Sequence, residues 1–130
     1  PDVPELLITG REREYFTYFI KHECHDPTAI SDENLDEYIR CYSSPGGLRC
    51  CFEIYRATLE SGRQNKESAK TKLKMPVLAV GSEYFIAEDN ERQMREVAED
   101  VRGVILPKGH QLAEECPEAL ADEYLKFFGT

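Results

Sequence analysis

The chain has 130 residues, a length that suits one ordinary domain, with 41% hydrophobic and 32% charged residues. Its formal net charge of −9 argues against a nucleic-acid-binding protein, because phosphate recognition needs clustered Lys and Arg. No apolar run approaches the roughly 18 residues of a membrane span, and no signal-peptide pattern opens the chain. Because residue 1 is Pro, we expect the natural N-terminus to lie upstream.

Two helices are predicted in the first third of the chain. Between positions 11 and 25, apolar side chains recur with helical spacing, at Tyr15, Phe16, Phe19 and Ile20. Pro27 ends this helix, since the residue before a proline disfavours the helical conformation. Ser31 is the predicted N-cap of the second helix, which continues to Tyr42.

A third helix is predicted from about Leu48 to Glu60, after the Ser-Ser-Pro-Gly-Gly break at 43–47. Its apolar face holds Leu48, Cys51, Phe52, Tyr55 and Leu59. Gly62 is expected to close it, and residues 63–74 are expected to form a polar connector.

The pattern then changes to strand, helix, strand, helix. Residues 75–80 and 103–106 are short apolar runs, typical of strands buried on both faces. A charged helix is predicted over 88–100 and a last helix from about Pro117. This order predicts one right-handed crossover between parallel strands, with a covering helix. Since parallel sheets usually have several strands, further strands are expected from elsewhere or from a larger protein.

The Gly109-His110 pair follows directly on the second predicted strand. In open parallel sheets, functional groups gather just beyond the carboxyl ends of the strands. A neutral imidazole there is suited to general-base catalysis, and Gly109 would let the backbone turn. A loop histidine with a purely structural hydrogen bond is the alternative.

Several motifs resemble the C-terminal end of α/β-hydrolases of the epoxide hydrolase and haloalkane dehalogenase group. They are MPVLAVG at 75–81, GVILPKGHQLAEECPEAL at 103–120 and YLKFF at 124–128. The Gly-His-x-x-x-x-Glu-x-Pro pattern of that family is matched at Gly109, His110, Glu115 and Pro117. The stretch SSPGGLRCCFEIYRA at 43–57, with its Tyr-Arg pair, resembles the end of the helical lid of epoxide hydrolases.

The resemblance implies an α/β fold, namely the C-terminal part of an α/β-hydrolase. Residues 1–70 would be a helical lid segment with its connector, and residues 71–130 the β-α-β-α end of the parallel sheet. The implied activity is a two-step covalent hydrolysis that converts epoxides to vicinal diols, with no cofactor. The implied substrate is a small apolar epoxide or a halogenated compound.

The resemblance also assigns roles to three residues. His110 would activate the water that cleaves the covalent ester, and Tyr55 would be a lid proton donor for the opening oxirane oxygen. Tyr55 has a packing alternative, as a core tyrosine at helical spacing from Phe52. Glu83 is the candidate acid that orients His110, although the family's Gly-x-x-Asp spacing would place that acid at position 84. In some family members the acid instead precedes the lid, a region that this sequence does not contain.

The nucleophile elbow of the family, a small-x-nucleophile-x-small turn, has no match in this sequence, nor has its oxyanion-hole motif. The chain is therefore expected to be inactive alone and to pair with a missing N-terminal core of the same protein, or with a second copy. The alternatives are a haloalkane or haloacid dehalogenase, an ester hydrolase, and a non-catalytic binding module of the same fold. The absence of Trp, a common halide ligand, favours the epoxide.

Two further groups of side chains have metal-binding or redox chemistry available to them. The run His22-Glu23-Cys24-His25-Asp26 is predicted to be a polar helix end and not a metal site, because no second ligand cluster accompanies it. The five cysteines include no C-x-x-C spacing, which predicts reduced thiols and a cytoplasmic protein.

Overall fold

The computed structural model describes residues 2–129 and contains helices followed by a small parallel sheet. In chain order the elements are α1 Val3–Ile8, α2 Glu12–His22, α3 Asp32–Tyr42, α4 Gly47–Arg56, α5 Thr58–Ser68, β1 Val77–Ser82, α6 Asp89–Val97, β2 Val101–Leu106, α7 Leu112–Glu115 and α8 Pro117–Phe128. We call α1 to α5 the helical segment and β1 to α8 the sheet segment. This order agrees with the predicted arrangement of helices followed by strand, helix, strand and helix.

The helical segment has its own apolar core. The buried members are Ile8, Phe16, Cys24, Ile30, Leu35, Ile39 and Leu48. The Phe16 ring stacks on Tyr42 with 4.0 Å between centroids, which joins α2 to the end of α3. The predicted N-cap is confirmed, because the Ser31 hydroxyl accepts a hydrogen bond from the Asn34 amide at 3.1 Å. Helical spacing of apolar residues is thus sufficient to place α2 and α3.

The predicted C-terminal end of the third helix was wrong. The helix breaks at Ala57, and α5 then runs through Gly62 to Ser68, so residues 63–68 are helix and not connector. Gly62 faces open space, and a helical glycine costs only about 1 kcal/mol relative to alanine. The Arg63–Glu60 ion pair at 2.6 Å offsets part of that cost. Two short helices, α1 and α7, were not predicted.

The sheet consists of β1 and β2, paired in parallel from Val77 opposite Val101 to Ser82 opposite Leu106. Parallel pairing agrees with the prediction, but β1 is displaced from the apolar run that predicted it and β2 extends beyond its run. The strand β1 ends at Ser82 and not at Val80, because backbone pairing continues past the apolar residues. The strand β2 begins at Val101, two residues before the predicted start.

The sheet segment is only partly covered within this chain. The helix α6 packs on one side of the strands, where Ala79, Ala98 and Val101 form a small buried cluster. Ile105 on β2 is exposed, so the expectation of strands buried on both faces does not hold for this chain by itself. The apolar side chains of α8 at Tyr124, Leu125 and Phe128 are between 46% and 74% exposed. Of the helices in residues 2–129, none has both the length and the apolar character needed to cross a bilayer.

Hydrogen bonds to Glu114 of α7 are among those that join the two segments. The Tyr38 hydroxyl donates to its Oε1, and the Asn34 side-chain amide donates to its Oε2 at 3.2 Å. The hydrogen bond to Glu114, with burial and the negative charge, raises the pKa of Tyr38 from 10.0 to about 12.

We expect this contact to give stability a dependence on alkaline pH. A raised folded-state pKa of Tyr38 means that its contribution is complete below pH 10.0 and is lost as pH rises towards about 12. Tyr38→Phe should therefore reduce the free energy of unfolding by about 1 kcal/mol at neutral pH. Denaturant unfolding of both proteins between about pH 8 and 11.5 measures this. A difference between the two proteins that stays constant above about pH 10 would contradict the assignment.

Candidate active site

His110 lies four residues beyond the end of β2, on a loop that turns towards the helical segment. Its backbone N–H donates to the carbonyl oxygen of Glu23, at the C-terminal end of α2, at 2.8 Å. Its ring is exposed and packs against Phe85, with 4.1 Å between ring centroids. Among residues 2–129, no side chain makes a hydrogen bond with the imidazole.

Gly109 is required for a different reason from the one predicted. Its backbone does not have a positive φ, so conformational freedom is not the cause. Instead, a β-carbon at this position would lie 2.6 Å from the carbonyl oxygen of Glu23 and closer still to the amide nitrogen of His25. Because both are backbone atoms, neither can move aside as a flexible side chain would. Gly109 thus lets the His110 loop touch the end of α2.

Glu115 is the residue that sequence reasoning missed. It was part of the matched motif but received no function. Its carboxylate is buried, and Oε2 accepts hydrogen bonds from the backbone N–H groups of His25, Asp26 and Gly109. A glutamate two residues before a helix-starting proline was the available signal, but its partners His25 and Asp26, just after α2, are about 90 positions away in sequence.

A cavity of about 580 Å³ lies between the helical segment and the His110 loop. It is lined by Pro4, Tyr15, Phe16, Phe19, Ile20, Glu23, Tyr42, Cys51, Phe52, Tyr55, His110 and Gln111. Most of this lining is aromatic or aliphatic, which suits an apolar ligand of small to moderate size. Burial raises the pKa of Tyr15 and of Tyr42 above the ordinary value of a phenol. The structure thus brings His110 and Tyr55 to the same cavity.

Tyr55 lies near the end of α4 with 72% of its surface exposed. Among the described residues, Tyr55 is not part of the buried core of the helical segment, and Leu59, one turn further on, is 89% exposed. In contrast, Glu83 is not among the cavity residues, and its carboxylate makes no hydrogen bond with His110 within residues 2–129. Tyr84, at the position expected for the orienting acid, stacks on His25 with 3.9 Å between ring centroids.

Side chains in the run from His22 to Asp26 make hydrogen bonds within the chain. The Cys24 thiol is buried and donates to the carbonyl of Ile20, and burial, with nearby carboxylates, raises its pKa to about 11. The Asp26 carboxylate accepts hydrogen bonds from the amide and hydroxyl of Thr28. Within residues 2–129 no group of three or more His, Cys, Asp or Glu is arranged to hold a metal ion. All five cysteines, each in the described part of the chain, are free thiols.

Comparisons with known proteins extend over almost the whole chain, although no family model matches it. A soluble epoxide hydrolase from Corynebacterium sp. (strain C12) is 36% identical, over 98% of this chain and 46% of the relative. The crystal structure of Cfl2 wild-type from Burkholderia cenocepacia has a TM-score of 0.92 at 43% identity, covering 98% of this chain and 44% of that one. The epoxide hydrolase CorEH without ligand has a TM-score of 0.91 at 33% identity, covering 99% and 46%.

The chain therefore spans a little less than half the length of the relatives it matches. The resemblance that was inferred from the MPVLAVG and Gly-His motifs is confirmed by these likenesses. The chain has the fold of the C-terminal part of an α/β-hydrolase, and it is similar to the epoxide hydrolases over nearly all of its length.

Proposed function

We propose that the protein containing this chain is an epoxide hydrolase, which opens a small apolar epoxide to a vicinal diol through a covalent alkyl-enzyme ester. The observation that carries the proposal is the cavity, in which His110 and Tyr55 share one apolar, aromatic lining. The similarity to the soluble epoxide hydrolase from Corynebacterium sp. (strain C12) supports it.

Tyr55 and His110 act in successive steps, ring opening and ester hydrolysis. A carboxylate nucleophile attacks an oxirane carbon, the carbon–oxygen bond of the ring breaks, and Tyr55 donates its hydroxyl proton to the released oxygen. His110 then takes a proton from a water molecule, whose oxygen adds to the ester carbonyl carbon. The ester carbon–oxygen bond breaks, the released oxygen takes the proton of the added hydroxyl group, and the diol leaves with the carboxylate restored. Transfer of the proton held by His110 to the Tyr55 phenolate then returns both groups to their starting states.

The nucleophile is proposed to lie in an N-terminal core of the same protein that packs on the sheet segment. Both strands have a single neighbour within residues 2–129, so each leaves an edge of unpaired backbone groups. The cavity formed by Leu78 of β1 with Tyr124, Phe127 and Phe128 of α8 presents apolar side chains that such a core would cover. A second copy of the chain supplies the same kind of strand edge but no nucleophile elbow.

The direct test is a single turnover of the intact protein in H₂¹⁸O with a small apolar epoxide. In the covalent route, the new diol oxygen of the first turnover comes from the enzyme carboxylate and carries no label. Direct attack by water would instead label the first diol. A halogenated alkane of the same carbon skeleton, assayed in parallel for halide release, tests the dehalogenase alternative.

Tyr55→Phe should slow formation of the covalent ester by about 10²-fold, because general-acid catalysis of ring opening is removed. Hydrolysis of an ester already formed should keep its rate, since His110 is unchanged. Rapid quenching followed by intact-protein mass measurement gives both rate constants. Tyr18→Phe is the matched control, because Tyr18 is also an exposed lid tyrosine but does not line this cavity. Equal rates for the Tyr55 and Tyr18 variants would remove Tyr55 from the mechanism.

A further inference from the structure

We propose that Glu115 is a positioning residue for His110, which holds the catalytic loop against the C-terminal end of α2. This inference rests on the proposed role of His110 as the base of the second step. Glu115 does not line the cavity and does not contact the imidazole, so its effect on chemistry would act through the backbone.

The Glu115 carboxylate joins two parts of the chain that are far apart in sequence. Its Oε2 atom accepts from the N–H of His25 at 2.9 Å, of Asp26 at 3.1 Å and of Gly109 at 3.2 Å. Only 8% of the residue is exposed. Hydrogen bonds from N–H groups to a carboxylate are stronger than those between neutral groups, and water does not compete at a buried site.

The same end of α2 also holds His110 directly. The His110 N–H donates to the Glu23 carbonyl at 2.8 Å, one residue after the Gly109 N–H that Glu115 binds. Two consecutive amides of the loop are therefore bound. The Gly109 N–H binds the Glu115 carboxylate, and the His110 N–H binds the carbonyl at the end of α2. Loss of the carboxylate would leave Gly109 without its acceptor and would free the loop to shift.

The environment of the other carboxylate oxygen of Glu115, Oε1, makes the isosteric variant Glu115→Gln an informative test. Oε1 is buried without a hydrogen-bond partner among the described residues. In Glu115→Gln, the amide oxygen can occupy the place of Oε2, but the NH₂ group then lies buried where no acceptor is present. The variant keeps the size of the side chain and disturbs only its polar contacts.

The experiment compares Glu115→Gln with Glu114→Gln in the intact enzyme. Glu114 is the adjacent carboxylate, bound to Tyr38 and Asn34 with no contact to Gly109. We expect Glu115→Gln to slow hydrolysis of the covalent ester by about tenfold or more, since small misplacement of a catalytic group is costly. Ester formation, which does not use His110, should stay within about twofold of wild type, and Glu114→Gln should leave both rate constants within that range.

Unchanged ester hydrolysis in Glu115→Gln would overturn the inference, as would equal slowing of both steps, which indicates a general loss of structure. Amide hydrogen exchange gives a readout that does not need turnover. The N–H groups of His25, Asp26 and Gly109 should be protected in the wild type and should all exchange faster in Glu115→Gln but not in Glu114→Gln.

This second readout separates the two proposals. If the wild type forms no covalent ester, the proposed function fails, yet the exchange pattern still decides whether Glu115 holds the loop. If Glu115→Gln does not fold, hydrogen exchange of the wild-type protein is the test of the role of Glu115. Exchange of the Gly109 amide as fast as in an unstructured peptide would then overturn the role of Glu115.

Discussion

His110→Ala in the intact protein is expected to trap the covalent ester and to reduce steady-state turnover by about 10³-fold or more, because the proposed base of the second step is removed. Ester formation should proceed at close to the wild-type rate, since the proposed ring opening uses Tyr55. The measurement is the mass of the quenched protein, which should increase by the mass of one epoxide molecule and remain at that value.

The matched control is His22→Ala. His22 is also an exposed histidine, but it lies on α2 and stacks on Tyr18 outside the cavity. The control should keep both steps. Full turnover by His110→Ala would show that His110 is a structural loop histidine, and retained ligand binding without turnover in the wild type would favour a non-catalytic binding module.

Gly109→Ala is expected to destabilise the protein by about 3 kcal/mol and to abolish most of the turnover. A methyl group at this position would lie 2.6 Å from the Glu23 carbonyl oxygen, so the loop must move away from α2. That movement breaks the hydrogen bond from the His110 N–H to Glu23 and displaces the imidazole. Denaturant unfolding and single-turnover ester hydrolysis measure the two effects.

Gly62→Ala provides a control of opposite sign. Gly62 lies inside α5, and a β-carbon at this position would have no other atom within 4 Å. Alanine should therefore raise the free energy of unfolding by up to about 1 kcal/mol. Its turnover should equal that of the wild type. If Gly109→Ala were as stable and active as Gly62→Ala, close backbone approach would not be the reason for glycine at position 109.

Local features of the chain were predictable from sequence because their causes are local. Ser31 caps α3 through a residue three positions away, and the apolar spacing in α2 identifies its buried face. The position of His110 beyond a strand end followed from the apolar run before it, and the Gly-His motif pointed to the family. The roles of His110, Tyr55 and Glu83 stay predictions, and the structure brings only the first two to one cavity.

Features that depend on distant parts of the chain were not predictable in the same way. The acceptor role of Glu115 and the contact that requires Gly109 both involve the end of α2, which sequence patterns do not connect to residues 109–115. The exposure of Tyr55 likewise depends on which elements pack against α4, and that is a tertiary property.

The separation in sequence between His25 and Glu115, 90 residues, also bears on how the protein folds. Helices form from near neighbours on a fast timescale, whereas closing a long loop costs chain entropy before its contacts give any return. The helical segment can therefore gain its secondary structure well before it docks on the loop after β2. The His110 site would then be among the last parts of the chain to form during refolding, and recovery of helical structure would precede recovery of a functional site.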